Sequence, residues 1–216
     1  FGVAVPSTST CNFFLHYGTG VMTVPSDGSV TTAKLGDGAV TTAKINDGAI
    51  TSAKINSSVG LGITEADQWR WTANFTGNVA PIASNWERND TSFDKIGTGM
   101  TQSSGVFTFP QTGIYLINIF ANMQLNSNSR YNEITIRLST DGGSNYSSIA
   151  YGLTHISNNT SALTYTQATT NAVIDVTNTS NFKVEFHVGH HDTNTVVQGA
   201  NSLNNNATTF IRLGDT

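Results

Sequence analysis

Hydrophobic residues between positions 30 and 59 recur at every fifth place: Val30, Leu35, Val40, Ile45, Ile50 and Ile55. The segment reads VTTAKLGDGA, VTTAKINDGA, ITSAKINSSV, three tandem decapeptides without an insertion, and Asp27-Gly28-Ser29 keeps the same register upstream. A five-residue spacing fits neither the helical period of 3.6 nor the strand period of 2. The Asp-Gly pairs instead predict a turn every ten residues. Each turn leaves few side chains to bury, against an ordering cost of about 1–2 kcal/mol per residue. A lone copy therefore gains too little to fold, whereas several copies wound about one axis join their Val, Leu and Ile into a buried seam. That arrangement is a fibrous shaft, for which three chains is the usual number. Lys34, Lys44 and Lys54 share one repeat position, with Asp37 and Asp47 three residues after the first two. They predict either a solvated face or Lys–Asp pairs between chains that fix the register.

After Gly62 the pattern changes. Apolar or alternating runs at 69–75, 106–109, 114–123, 133–138, 172–176, 182–188 and 208–213 predict short strands. Loops rich in Asn, Ser and Gly separate them: LNSNSR, STDGGSN, SNNTSA and QGANSLNNN. No segment carries a sustained helical stripe. The expectation is an all-β domain over 63–216, an antiparallel jelly-roll β-sandwich. Residues 1–29 differ again, since Phe1, Val3 and Val5 alternate as in a short strand and 1–25 contain no Asp, Glu, Lys or Arg. Such a segment is expected to dock on a larger assembly, with Cys11 as a small buried residue. Three parts result: an attachment segment (1–29), a repeat shaft (30–62) and a knob (63–216).

Composition narrows the function. Charged residues make up 11% of the chain, against about 25% in ordinary soluble domains, while 38% hydrophobic residues still supply a core. A net charge of −4 without any Lys/Arg cluster excludes a nucleic-acid footprint. No apolar run approaches the ~18–20 residues that span a bilayer, so membrane insertion is not expected. The single cysteine excludes a disulfide framework within the chain and a multi-cysteine zinc site. The start, FGVAVPSTST, has no initiator Met and no basic n-region, so a processed or partial chain is expected.

The run GVFTFPQTGIYLINIFANMQL from Gly105 to Leu125 resembles the signature of the jelly roll shared by the globular head of complement component one q and the tumour necrosis factor superfamily. Gly105, Phe107, Thr108, Pro110, Gly113 and Tyr115 carry that resemblance. Phe93-Asp94 precedes the hairpin as in the family, and ITIRLSTDGG, VIDVTNTSNFKVEFHV and TTFIRLGD follow in the family's order. The resemblance covers about residues 67–216. It implies a jelly roll that assembles as a tight trimer with N-termini near the threefold axis, here without the collagen stalk. The T-T-A-K-I-x-D-G-A repeat is similar to segments of bacteriophage tail and head fibres, which implies a fibre ending in a receptor-binding knob.

Chemistry is sparse. The sequence contains no G-x-S-x-G, P-loop, H-E-x-x-H or G-x-G-x-x-G motif, and no catalytic carboxylate pair is evident. Glu65 and Asp67 are read as turn or cap residues. His187 faces away from Phe182, Val184, Phe186 and Val188, and His190, His191 and Asp192 follow at the turn. In a trimer such imidazoles can converge on the axis around a metal ion; a polar strand end is the plainer reading, and no cofactor is expected. Trp69 and Trp71 are expected in the core or a subunit interface. Trp86, Tyr146, Tyr151 and Tyr165 either pack or offer rings to a sugar.

Because loops on a rigid sandwich carry recognition, the candidate receptor-binding residues are Asn126, Asn128, Arg130, Asp141, Tyr146, Asn158, Asn159, His190, His191 and Asn194. Arg130 is the cation among them suited to an anionic glycan. The reading is a non-enzymatic, homotrimeric viral fibre protein located in the virion. Its partners are its own copies, other virion proteins through the N-terminal segment, and a host cell-surface glycan or protein. Two alternatives remain: a structural collar or capsid decoration whose knob serves trimerisation, and a secreted bacterial adhesin.

Overall fold

A computed structural model describes residues 8, 25–55, 62–157 and 162–216. The expectations for Cys11, for the alternation of Phe1, Val3 and Val5, and for Asn158 and Asn159 lie outside the described residues. The chain divides into two compact units, Phe1–Val59 and Gly60–Thr216.

In the first unit the described part of each decapeptide, up to residue 55, folds alike. A single 3-10 turn spans Thr32–Lys34, Thr42–Lys44 and Ser52–Lys54. Between them the Asp-Gly turns place Gly38 and Gly48 at φ of 72° and 74°, a region that only glycine enters without strain. The lysines turn to their own chain. Lys34 Nζ donates to the Ser29 carbonyl at 2.6 Å, Lys44 Nζ to Ala39 at 2.7 Å and Lys54 Nζ to Ala49 at 2.9 Å. Among the described residues no ion pair joins them to Asp37 or Asp47, and each lysine ties its turn to the carbonyl just before its repeat. Val30, Leu35, Val40, Ile45 and Ile50 stay 39–55% exposed in the single chain.

The described residues of the second unit form β1 (Ala66–Trp71), β2 (Phe75–Thr76), β3 (Trp86–Arg88), β4 (Lys95–Ile96), β5 (Thr101–Ser103), β6 (Val106–Thr108) and β7 (Gly113–Leu125). They continue with β8 (Ser129–Ser139), β9 (Ser147–Ile156), β10 (Thr164–Val176), β11 (Lys183–His190), β12 (Val196–Val197) and β13 (Asn206–Gly214). One sheet runs β2-β12-β7-β13-β1-β3, with β10 also on β7 and β4 on β1; the other runs β5-β6-β11-β8-β9. The pairings between these strands are antiparallel. This is the all-β sandwich that the patterning predicts.

The core sits between the sheets because β7 alternates strictly. Tyr115, Ile117, Ile119, Ala121 and Met123 are buried, while the residues between them face out. Phe107 is the hub of an aromatic cluster, with ring centroids 4.9 Å from Trp86, 5.3 Å from Phe210, 5.5 Å from Phe186 and 5.6 Å from Trp69. Edge-to-face pairs of this kind contribute about 0.5–1.5 kcal/mol each beyond burial. Phe107 and Phe109 share the inward face, as the sequence predicts.

The edge strands β9 and β10 meet where side chains are small. A Cβ on Gly152 would lie 2.0 Å from the Thr169 carbonyl oxygen, and the hydroxyls of Thr154 and Thr166 hydrogen-bond.

Strand register defines the two ends of the sandwich. Ala66↔Ile211, Gly113↔Val176 and Ser139↔Lys183 mark the end where the chain enters. Leu125↔Thr164, Ser129↔Ile156 and Asn132↔His190 mark the opposite end, the apex.

Candidate recognition surface at the apex

Among the described residues three connections meet at the apex: the turn 126–128, the loop 191–195 and the segment 77–79. Buried polar side chains hold them. The Asn132 side-chain oxygen lies 2.9 Å from Ser129 Oγ, 3.0 Å from His190 Nδ1 and 3.2 Å from Thr195 Oγ1. Ser129, Asn132, His190 and Thr195 are all nearly inaccessible to solvent. The backbone N–H of His190 donates to Asn78 Oδ1 at 2.7 Å, and that of Asp192 to Ser129 Oγ at 3.3 Å. Asp192 shapes its own loop by accepting from the Asn194 backbone at 2.9 Å, a local turn that Asx residues favour.

This scaffold presents Asn126, Asn128, Arg130, His191 and Asn194 to solvent. The His191 ring stands edge-on to Tyr131, with centroids 6.1 Å apart, and the His191 backbone N–H donates to the Tyr131 carbonyl at 3.0 Å. The surface offers amide donors and acceptors around one guanidinium and two flat rings. It holds groups for hydrogen bonding and stacking, without a nucleophile–base pair.

The other sequence candidates fall elsewhere. Asp141 and Tyr146 lie at the end where the chain enters, away from the apical loops. The Asp141 carboxylate is held at about 2, below the ordinary aspartate value, chiefly by Asn145 and further by Ser139. It organises the turn 139–145 through Asn145 N at 3.0 Å, Asn145 Nδ2 at 2.7 Å and Ser139 Oγ at 2.7 Å. Tyr146 is half-buried, and burial raises its phenol. Trp86 belongs to the aromatic core, its indole donating to the Ile82 carbonyl at 2.6 Å. Tyr151 and Tyr165 are 64% and 61% exposed on β9 and β10.

Within one chain the histidine cluster is dispersed. His190 points into the fold. His187 lies on the outer face of β11, 2.8 Å from Glu185 Oε1, an oxygen that also accepts from Arg137 at 3.0 Å. His191 is exposed at the apex. Among the described residues no group of His, Cys, Asp and Glu is arranged to hold a metal ion.

Glu65 and Asp67 also differ from their reading as simple turn or cap residues. Both are buried. Glu65 accepts from the backbone of Thr98 at 3.0 Å and Gly99 at 2.8 Å. Asp67 takes two bonds from Arg88, at 2.9 and 3.1 Å, and one from the Met100 backbone at 2.7 Å. The pair ties segment 98–100 to β1, leaving little lone-pair capacity for catalysis.

Sequence reasoning missed the outward face of the first sheet. Register aligns Val173, Leu116, Ile211 and Ala66 in one apolar rung across β10, β7, β13 and β1. Val173 and nearby Leu213 are 61% and 57% exposed. An apolar strip on an outward sheet face is the kind of surface that takes a protein partner. The alternation within β7 was the signal that could have found it.

No family model matches the chain. No curated protein matches it either. Among solved structures it is similar to Eiger TNF from S. frugiperda, with TM-score 0.50 and 10% identity over 70% of this chain and 93% of that one. Murine APRIL is similar at 10–11% identity and TM-scores of 0.47 and 0.48, each over 69% of this chain and 98% of that one. The second unit thus has an antiparallel jelly-roll fold similar to that of the Eiger structure.

Proposed function

We propose that the chain is the subunit of a homotrimeric viral fibre whose knob binds the host cell surface, by preference a glycan, during phage adsorption. The observation that carries this reading is a repeat segment whose apolar residues stay exposed in one chain, joined to a jelly-roll head of the tumour necrosis factor kind. The repeat supplies the resemblance to phage fibres, and its exposed seam needs other copies. The rung Val173–Leu116–Ile211 gives the head an apolar surface of its own to bury. Residues 1–29 attach the fibre to other virion proteins. The apex supplies weak, hydrogen-bonding contacts, and three copies on one fibre multiply them. Such contacts suit a particle outside cells, since screening by salt weakens ion pairs more than hydrogen bonds. No catalytic step is part of this function.

Light scattering of the full chain tests the assembly, with three times the 23.0 kDa chain mass expected; a monomer at micromolar concentration overturns the trimer. Glycan-array binding by the fibre, weakened at least tenfold by Arg130→Ala combined with Asn128→Ala, tests the apex. A trimer that binds neither glycans nor host cells points to the collar or decoration role.

A further inference from the structure

The apex carries a feature that glycan binding does not use. The His190 imidazole is 2% exposed, and its Nδ1 lies 3.0 Å from Asn132 Oδ1. Its Nε2 has no partner among the described residues, and neither does Asn132 Nδ2. A neutral ring tolerates this, with one nitrogen donating and the other bare. An imidazolium does not, because both nitrogens then carry a proton and the second finds no acceptor.

We propose that His190 is an acid-sensitive latch: as the pH falls, its protonation releases the loop 191–195 from the end of the sandwich. The bonds at stake are made by this residue, by Asn132 or by their close neighbours. They are His190 N to Asn78, Asp192 N to Ser129, Thr195 Oγ1 to Asn132, and His191 N to the Tyr131 carbonyl.

Among the described residues nothing nearby offsets the charge. On β8, Arg130 is exposed, and Glu133 faces outward against Gly189. In the loop, His191 is exposed, and Asp192 Oδ1 is occupied by Asn194. Asn78 and Val79 on the flanking segment are uncharged, as are Val196 and Val197 of β12 and every residue of β7 at neutral pH.

Burial alone pulls the ring from 6.5 down to about 4. The sign follows from linkage. The opened loop binds the proton at the ordinary value, and the closed one only near 4. Between those limits each unit of falling pH therefore favours opening about tenfold, a few hundredfold in all. Above 6.5 the latch is fully effective; below 4 both states are protonated and the trend stops.

The consequence, that acid loosens surface binding, rests on the proposed function. The opening itself does not, and its test involves no ligand. Amide hydrogen exchange of the full chain between pD 7 and 4, corrected for intrinsic rates, reads it at His190, His191 and Asp192. Their protection is expected to fall about tenfold per unit, while the centre of β7 stays protected. His190→Phe and His190→Gln are expected to abolish the slope. A flat profile, a slope that persists in both variants, or a parallel loss in β7 overturns the latch. Should both variants fail to fold, ring nitrogen shifts of the parent decide: a protonated His190 at pH 5.5 with the amides still protected overturns it.

Discussion

Asn206 does for Trp71 what a neighbouring backbone would do: its Oδ1 accepts from the Trp71 N–H at 2.8 Å, and its Nδ2 donates to the Trp71 carbonyl at 3.0 Å. The same Nδ2 reaches the Gln198 carbonyl at 2.9 Å, and that carbonyl also accepts from the Trp71 indole. One side chain thus joins β13, the end of β1 and the approach to the apex. Asn206→Leu leaves the buried Trp71 N–H unpaired, while the Trp71 carbonyl keeps its bond from the Ala200 N–H, and is expected to lower stability by about 1–3 kcal/mol. Urea denaturation of the variant checks this.

The contact between β9 and β10 makes a second prediction. With the Thr169 carbonyl oxygen 2.0 Å from where a Cβ would stand, Gly152→Ala must push the two strands apart. A loss of about 1–3 kcal/mol is expected, visible as a lower thermal midpoint. Exchange should accelerate most in β9, which lies at the edge of its sheet.

Tyr115 gives the head an alkaline limit. Burial, and next the negative charge of Glu65, push its phenol from 10.0 up to about 12. The folded state keeps this proton while an unfolded chain releases it near 10, so stability is complete below pH 10 and falls as pH rises towards 12. The contribution is about 2–3 kcal/mol. Tyr115→Phe forfeits the hydrogen bond to the Gln111 carbonyl, about 1 kcal/mol at pH 7. It should also flatten the alkaline limb of a urea-midpoint profile between pH 8 and 11.5. An unchanged limb would contradict the assignment.

The repeat seam makes a prediction specific to association. Replacing Leu35, Ile45 and Ile50 by Ser leaves every turn and lysine bond within the repeat intact but removes the side chains that need burial. Protease should then cut within residues 30–55 while the head survives as a resistant fragment, whereas the parent protein is expected to resist at both places.

The sequence made the jelly roll legible through Gly105–Tyr115 and through the alternation of β7, where one face is apolar without interruption. β9 and the first half of β10 stayed hidden for a physical reason. Both are edge strands with exposed outer faces, so Thr, Gln and Ser stand where a buried strand would carry Val or Ile. At the apex the loops were legible from composition, and their anchor was not. His190 and Thr195 lie 58 and 63 residues from Asn132, and only the register of β11 on β8 brings His190 opposite it. The same register separates His187 from His190 by sheet face, which proximity in sequence could not reveal.

Within the repeats, every described hydrogen bond is short in range, the longest reaching back five residues from lysine to carbonyl. A block of ten can therefore be duplicated or deleted without orphaning a partner in the block beside it. Nearly identical coding repeats also recombine with one another. Reach thus becomes a heritable quantity that changes in whole steps of ten residues, each variant foldable at once, with the head left as it was.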